Sequence, residues 1–115
     1  SIFFFEDARE WRAFYAVLGW LAGNTDPGAV IASSSPHLVW LHTRRKAVLP
    51  PFEPEPREAQ RLLDSVPDDY VVVDALRFVD VSQRYARPAI EAHPELWECA
   101  YRQQDGPLAI YHRKQ

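Results

Sequence analysis

Apolar residues recur at helical spacing early in the chain. Trp11, Phe14, Tyr15, Leu18, Leu21 and Ala22 fall on one stripe, with Glu6, Asp7, Arg9, Glu10 and Arg12 on the polar side. The spacing predicts an amphipathic helix from Glu6 to Ala22, ended by Gly23-Asn24 and turned by Asp26-Pro27-Gly28. Val30 to Ala32 reads as a short buried strand. Ser35-Pro36 then opens a short helix through Thr43, with serine at the N-cap and proline at the first helical position. Lys46 to Leu49 forms a second strand, stopped by Pro50-Pro51. A further helix is expected from Pro56 to Ser65, with Ala59, Leu62, Leu63 and Val66 as its apolar stripe.

Tyr70-Val71-Val72-Val73 is the clearest strand. Its β-branched run lacks alternation, which predicts burial on both faces and a central, parallel position. Val81 to about Ala92 reads as helix, with Pro88 either kinking it or starting a second one. Leu96 to Arg102 alternates and places Trp97, Cys99 and Tyr101 on one side, so Cys99 is expected in a buried strand position. Asp105-Gly106 turns the chain back into Leu108 to His112, a C-terminal hairpin.

The order α-β-α-β-α-β-α-β-β predicts an α/β fold. Two β-α-β crossovers give three parallel strands, and the hairpin adds antiparallel strands at one edge. The expected architecture is a small three-layer, Rossmann-like sheet of order 2-1-3-5-4 with helices on both faces.

Composition narrows this picture. A chain of 115 residues suits one domain and can bury a core without staples. The net charge of −3 argues against a general nucleic-acid binder, so no nucleic-acid partner is expected. The lone Cys99 cannot form an internal disulfide. The chain opens with Ser1-Ile2-Phe3-Phe4-Phe5 and has no methionine. Such a start has two readings: a cut inside a longer protein, which we expect, or aromatics that cap the core of a small one.

Chemistry is sparse. Ser33, Ser34 and Ser35 lie where the first strand ends and a helix begins, the usual ligand rim of an open α/β sheet. The glycines of a phosphate loop are missing, so an N-cap with a polar turn is the competing reading. Asp74 ends the third parallel strand on the same rim, and Arg77 and Asp80 could join it from the following loop. These groups form a candidate site for a small molecule or phosphate. Arg44-Arg45-Lys46 is the basic cluster; beside a membrane it suits lipid phosphates, and otherwise it is a solvated turn. His37 and His42 are five apart on a short helix, the wrong spacing for a zinc pair, so no metal is expected. No G-x-S-x-G elbow occurs, no catalytic constellation is legible, and no cofactor is called for.

Several segments, in order, resemble the soluble C-terminal domain of bacterial polytopic membrane glycosyltransferases. That class includes dolichyl-phosphate-mannose protein mannosyltransferases and lipid A aminoarabinose transferases. The matching stretches are Trp20-Leu21 with Asn24-Thr25-Asp26-Pro27-Gly28-Ala29-Val30-Ile31-Ala32-Ser33, then Thr43-Arg44-Arg45-Lys46-Ala47-Val48. Asp69-Tyr70-Val71-Val72-Val73, Tyr85-Ala86-Arg87-Pro88-Ala89-Ile90, and the pair Ala100-Tyr101 and Ala109-Ile110-Tyr111 follow. The resemblance runs from Ala8 to Arg113. One departure is Arg44, where the family often has glycine, so the tight turn there lacks its usual residue.

The resemblance implies a non-catalytic accessory domain on the extracytoplasmic side of a membrane. Its first partner would be the transmembrane part of its own parent chain, and it would help to bind acceptor or lipid-linked sugar. The family's catalytic acid belongs to the membrane part, so no catalytic residue carries over to this chain.

Overall fold

The computed structural model describes residues 8–74 and 80–115. The Phe3 to Phe5 run, Glu6, Asp7 and Arg77 lie outside the described residues. Helix α1 spans Ala8–Asn24, strand β1 Val30–Ala32, helix α2 Pro36–Thr43, and strand β2 Lys46–Val48. Helix α3 spans Pro56–Asp64 and strand β3 Tyr70–Val73. A π-helical turn at Ser82–Ala86 leads into α4, Arg87–Ala92; the hairpin is β4, Trp97–Arg102, and β5, Ala109–Arg113.

The five strands lie in the order β2-β1-β3-β5-β4, as the sequence predicts. β1 is parallel to β2 and to β3, while β5 is antiparallel to both β3 and β4. The steps from β1 to β2 and from β2 to β3 run in opposite directions across the sheet. Crossovers of one hand then place their helices on opposite faces. Accordingly α1 and α2 cover one face, where Phe14, Val17, Leu21 and Val39 pack on Ile31, Val72 and Ile110. α3 and α4 cover the other, where Ala59, Leu63, Ala89 and Ile90 pack on Ala32, Val71, Val73 and Ala109. The alternation hidden in the Tyr70–Val73 run is thus a real one: Val72 serves one core, and Val71 and Val73 the other.

Three expectations need correction. Tyr15 and Ala22 are exposed and Val17 takes the buried place, because α1 turns a narrower stripe to the sheet. Val66 is likewise exposed, since α3 ends at Asp64, before reaching it. Cys99 is exposed. β4 is an edge strand, and its pairing with β5 slips between Cys99 and Tyr101, so Ala100 is an extra residue. That bulge sends Trp97 to the core under α3 and α4 but Tyr101 to the opposite core, against Trp20. Tyr70–Val73 is central as expected, parallel to β1 on one side and antiparallel to the hairpin strand β5 on the other.

The chain is helical without a break from Val81 to Ala92, and Pro88 is accommodated by a π-turn just before it. It has no N–H to give, and the ladder just before it widens by one residue, with the Arg87 N–H bonding the Ser82 carbonyl.

Candidate functional site

The predicted rim lies at the carboxyl ends of β1 and β3. Ser33, Ser34, Ser35 and Asp74 do come together there, and all four are buried. Ser82, from the π-helical turn, joins them and is also buried. The Ser33 N–H donates to the Val48 carbonyl at 2.9 Å, which fixes the chain as it leaves β1. The Ser33 hydroxyl accepts the Ser35 N–H at 3.0 Å. The Ser34 hydroxyl accepts the Ser82 N–H at 2.8 Å, and the Ser82 hydroxyl accepts the Asp74 N–H at 3.1 Å. Ser35 occupies the N-cap position of α2, but its carbonyl rather than its hydroxyl serves the helix, accepting from Leu38 and Val39. Asp80 pairs with Arg84 one helical turn on, at 2.9 Å. The hydroxyls therefore join β1, β3 and the π-helical turn, each holding a backbone N–H that has no ladder partner.

The basic cluster divides. Arg45 donates to the Ala22 and Thr25 carbonyls, the Thr25 hydroxyl and the Thr43 carbonyl, at 2.6 to 3.1 Å. It closes the C-terminal end of α1 against the turn after α2, as a cation at a helix C-terminus should. Arg44 and Lys46 are exposed. Arg44 adopts φ 59° and ψ 20°, the left-handed conformation, and its N–H caps the Trp40 carbonyl. The tight turn suited to glycine is therefore present, carried here by arginine.

The opposite end of the sheet was not legible as a site. A groove of about 440 Å3 opens there, lined by Asp26, Asp69, Tyr70 and His112 among others. The Tyr70 and His112 rings stack at 4.4 Å, and the Glu98 carboxylate lies 3.5 Å from His112 Nδ1. Burial, and then the charges of Asp69, Asp26 and Glu98, raise the Tyr70 pKa above its ordinary value. Asp69 fastens the strands: its carboxylate accepts the Val30 N–H at 2.8 Å and its carbonyl the Arg113 N–H at 2.9 Å. The groove is rich in acceptors and has aromatic walls, a lining that suits hydroxyl-bearing groups.

At the same end of the sheet lies an ionic network of which only Asp68 is fully buried. The Arg113 guanidinium pairs with Asp68, meets Asp64 at 2.6 Å, donates to the Asp68 and Leu63 carbonyls, and lies 4.4 Å over the Trp97 ring. Trp97 Nε1 donates to Gln60 Oε1 at 2.8 Å, and Gln60 donates to Asp64 at 2.9 Å. The Asp68 side chain is wholly buried, and its Oδ2 has no hydrogen-bond partner among the described residues. Burial pushes its pKa from 3.8 to about 6, against the pull of Arg113. The available signal was topological: in a 2-1-3-5-4 sheet the residues before β3 and at the end of β5 share one end.

Among the described residues no group of three or more His, Cys, Asp or Glu side chains could hold a metal ion. No helix there is long and apolar enough to cross a membrane.

No protein-family model matches the chain, and no curated protein matches it in sequence. The fold is shared with a solved structure, the C-terminal globular domain of oligosaccharyltransferase from Archaeoglobus fulgidus. The match has a TM-score of 0.53 at 12% identity and covers 91% of this chain and 97% of that one.

Proposed function

We propose that this chain is a non-catalytic accessory domain of a glycosyltransferase-like protein. It belongs on the extracytoplasmic side of a membrane, beside the transmembrane part of its own parent chain. The observation that carries this reading is the fold match, which spans nearly the whole of both chains and pairs this one with a domain of a glycosyl-transferring enzyme. The ordered motifs from Trp20 to Tyr111 add the finer assignment, to the bacterial class of protein mannosyltransferases and aminoarabinose transferases. The acceptor-rich groove at Asp26, Asp69, Tyr70 and His112 is where such a domain would meet a sugar hydroxyl of the acceptor or of a lipid-linked donor.

The test is an immunoblot of fractionated native cells with an antibody against this domain. The expected result is a band several times heavier than 13.3 kDa in the membrane fraction. A band near 13.3 kDa in the soluble fraction overturns the proposal.

A further inference from the structure

Helix α2 is short and apolar on every side: Pro36, Leu38, Val39, Trp40 and Leu41 are joined only by His37, His42 and Thr43. A helix of that kind is normally covered all round. Here Val39 and Thr43 face the core, while Trp40 is 50% and Leu41 58% exposed. Tyr15 of α1, 47% exposed, extends the patch by packing edge-on against His42 at 5.3 Å. Arg44 lies 5.2 Å over the Trp40 ring, and the sequence has no aspartate or glutamate between Asp26 and Glu53. This segment is acid-free in a chain whose net charge is −3.

We infer that the outer face of α2, with Trp40, Leu41 and Arg44, docks on an anionic lipid headgroup surface. The inference rests on the tethered-domain reading above, under which this face would lie close to a bilayer. Tryptophan and tyrosine favour the membrane–water boundary, where the ring body is apolar and its edge polar. An arginine beside them meets lipid phosphate and strengthens binding by about fivefold. The groove described above is not lined by these residues. A helix face without a groove suits a fluid surface better than a folded partner. Arg45, spent on α1, takes no part.

The experiment is co-sedimentation of the 115-residue chain with vesicles of phosphatidylcholine, alone or mixed with phosphatidylglycerol, at low and at high ionic strength. Binding is expected on the mixed vesicles at low ionic strength, with a blue shift in tryptophan emission that the Trp40→Phe variant loses. Arg44→Gln lowers the partition coefficient by about fivefold, and Leu41→Ser by several-fold. All three side chains are exposed, so unchanged thermal melting confirms that the variants fold. Absence of binding to the mixed vesicles overturns the inference, as does binding that neither variant weakens. Self-association abolished by Leu41→Ser, without vesicle binding, assigns the face to a second copy and also overturns it. A parent found in the cell membrane fraction whose domain ignores vesicles removes the lipid contact but leaves the tethered-domain reading standing. Vesicle binding by a chain found soluble near 13.3 kDa does the reverse.

Discussion

The two ends of the sheet solve the same problem with different chemistry. At the carboxyl ends of β1 and β3, the backbone leaves its ladder and is caught by neutral hydroxyls. Ser33, Ser34 and Ser82 each accept one N–H, and all are buried. At the amino end of β3 the chain is caught by charge. Arg113 reaches from β5 to Asp64, Asp68 and two carbonyls, and packs on Trp97. A hydroxyl joint is insensitive to pH and costs little to bury. An ionic joint is strong only while both partners remain, and leaves an expensive orphan when one is lost.

The largest expected effect follows from that asymmetry. Arg113→Met should destabilise the domain by about 3–5 kcal/mol in urea unfolding at neutral pH, because the buried Asp68 loses its counter-charge. A loss below about 1 kcal/mol would show that the network adds little beyond packing.

The next effect is in pH. Asp68 holds its proton in the folded state up to about pH 6 but only to about 3.8 when unfolded. Between those values the folded state binds more protons, so stability falls as pH rises through the window. The full span is at most about 3 kcal/mol. Asp68→Asn should flatten this slope, while Ser34→Ala should leave it intact. An unaltered slope in Asp68→Asn assigns the pH dependence to another carboxylate.

Ser34→Ala itself should cost about 1–3 kcal/mol, since the buried Ser82 N–H is left without an acceptor. A near-zero cost would mean that water enters the joint.

The smallest effect lies in the turn after α2, also at the amino end. Arg44→Gly should raise stability by about 0.5 kcal/mol. Relief of the left-handed backbone, roughly 1 kcal/mol, exceeds the exposed Arg44–Trp40 contact. Destabilisation would instead show that the stacked arginine holds α2 in place.

The elements themselves were legible. Ser35-Pro36 marked the start of α2, Pro50-Pro51 the stop after β2, and the Tyr70–Val73 run the central strand. Crossovers of one hand leave both orders 1-2-3 and 2-1-3 open for the parallel strands, and the packing of α2 and α3 on opposite faces selects the second over the first. The candidate site was legible only as an address. Ser33, Ser34, Ser35 and Asp74 do share a rim, yet their burial depends on Ser82, which is 48 residues from Ser34. Arg44, Arg45 and Lys46 look alike in sequence; only the position of α1 separates the wired Arg45 from its exposed neighbours.

Local periodicity therefore determined which residues form strands and helices, and chain connectivity narrowed the strand order to a few arrangements. The tertiary structure alone decided the Ala100 bulge that parts Trp97 from Tyr101, the pairing of Asp68 with an arginine 45 residues away, and the exposed apolar face of α2. The physical reason is common to all three. Each depends on which surfaces meet across the sheet, and such long-range contacts leave no repeating mark on the residues nearby in the chain.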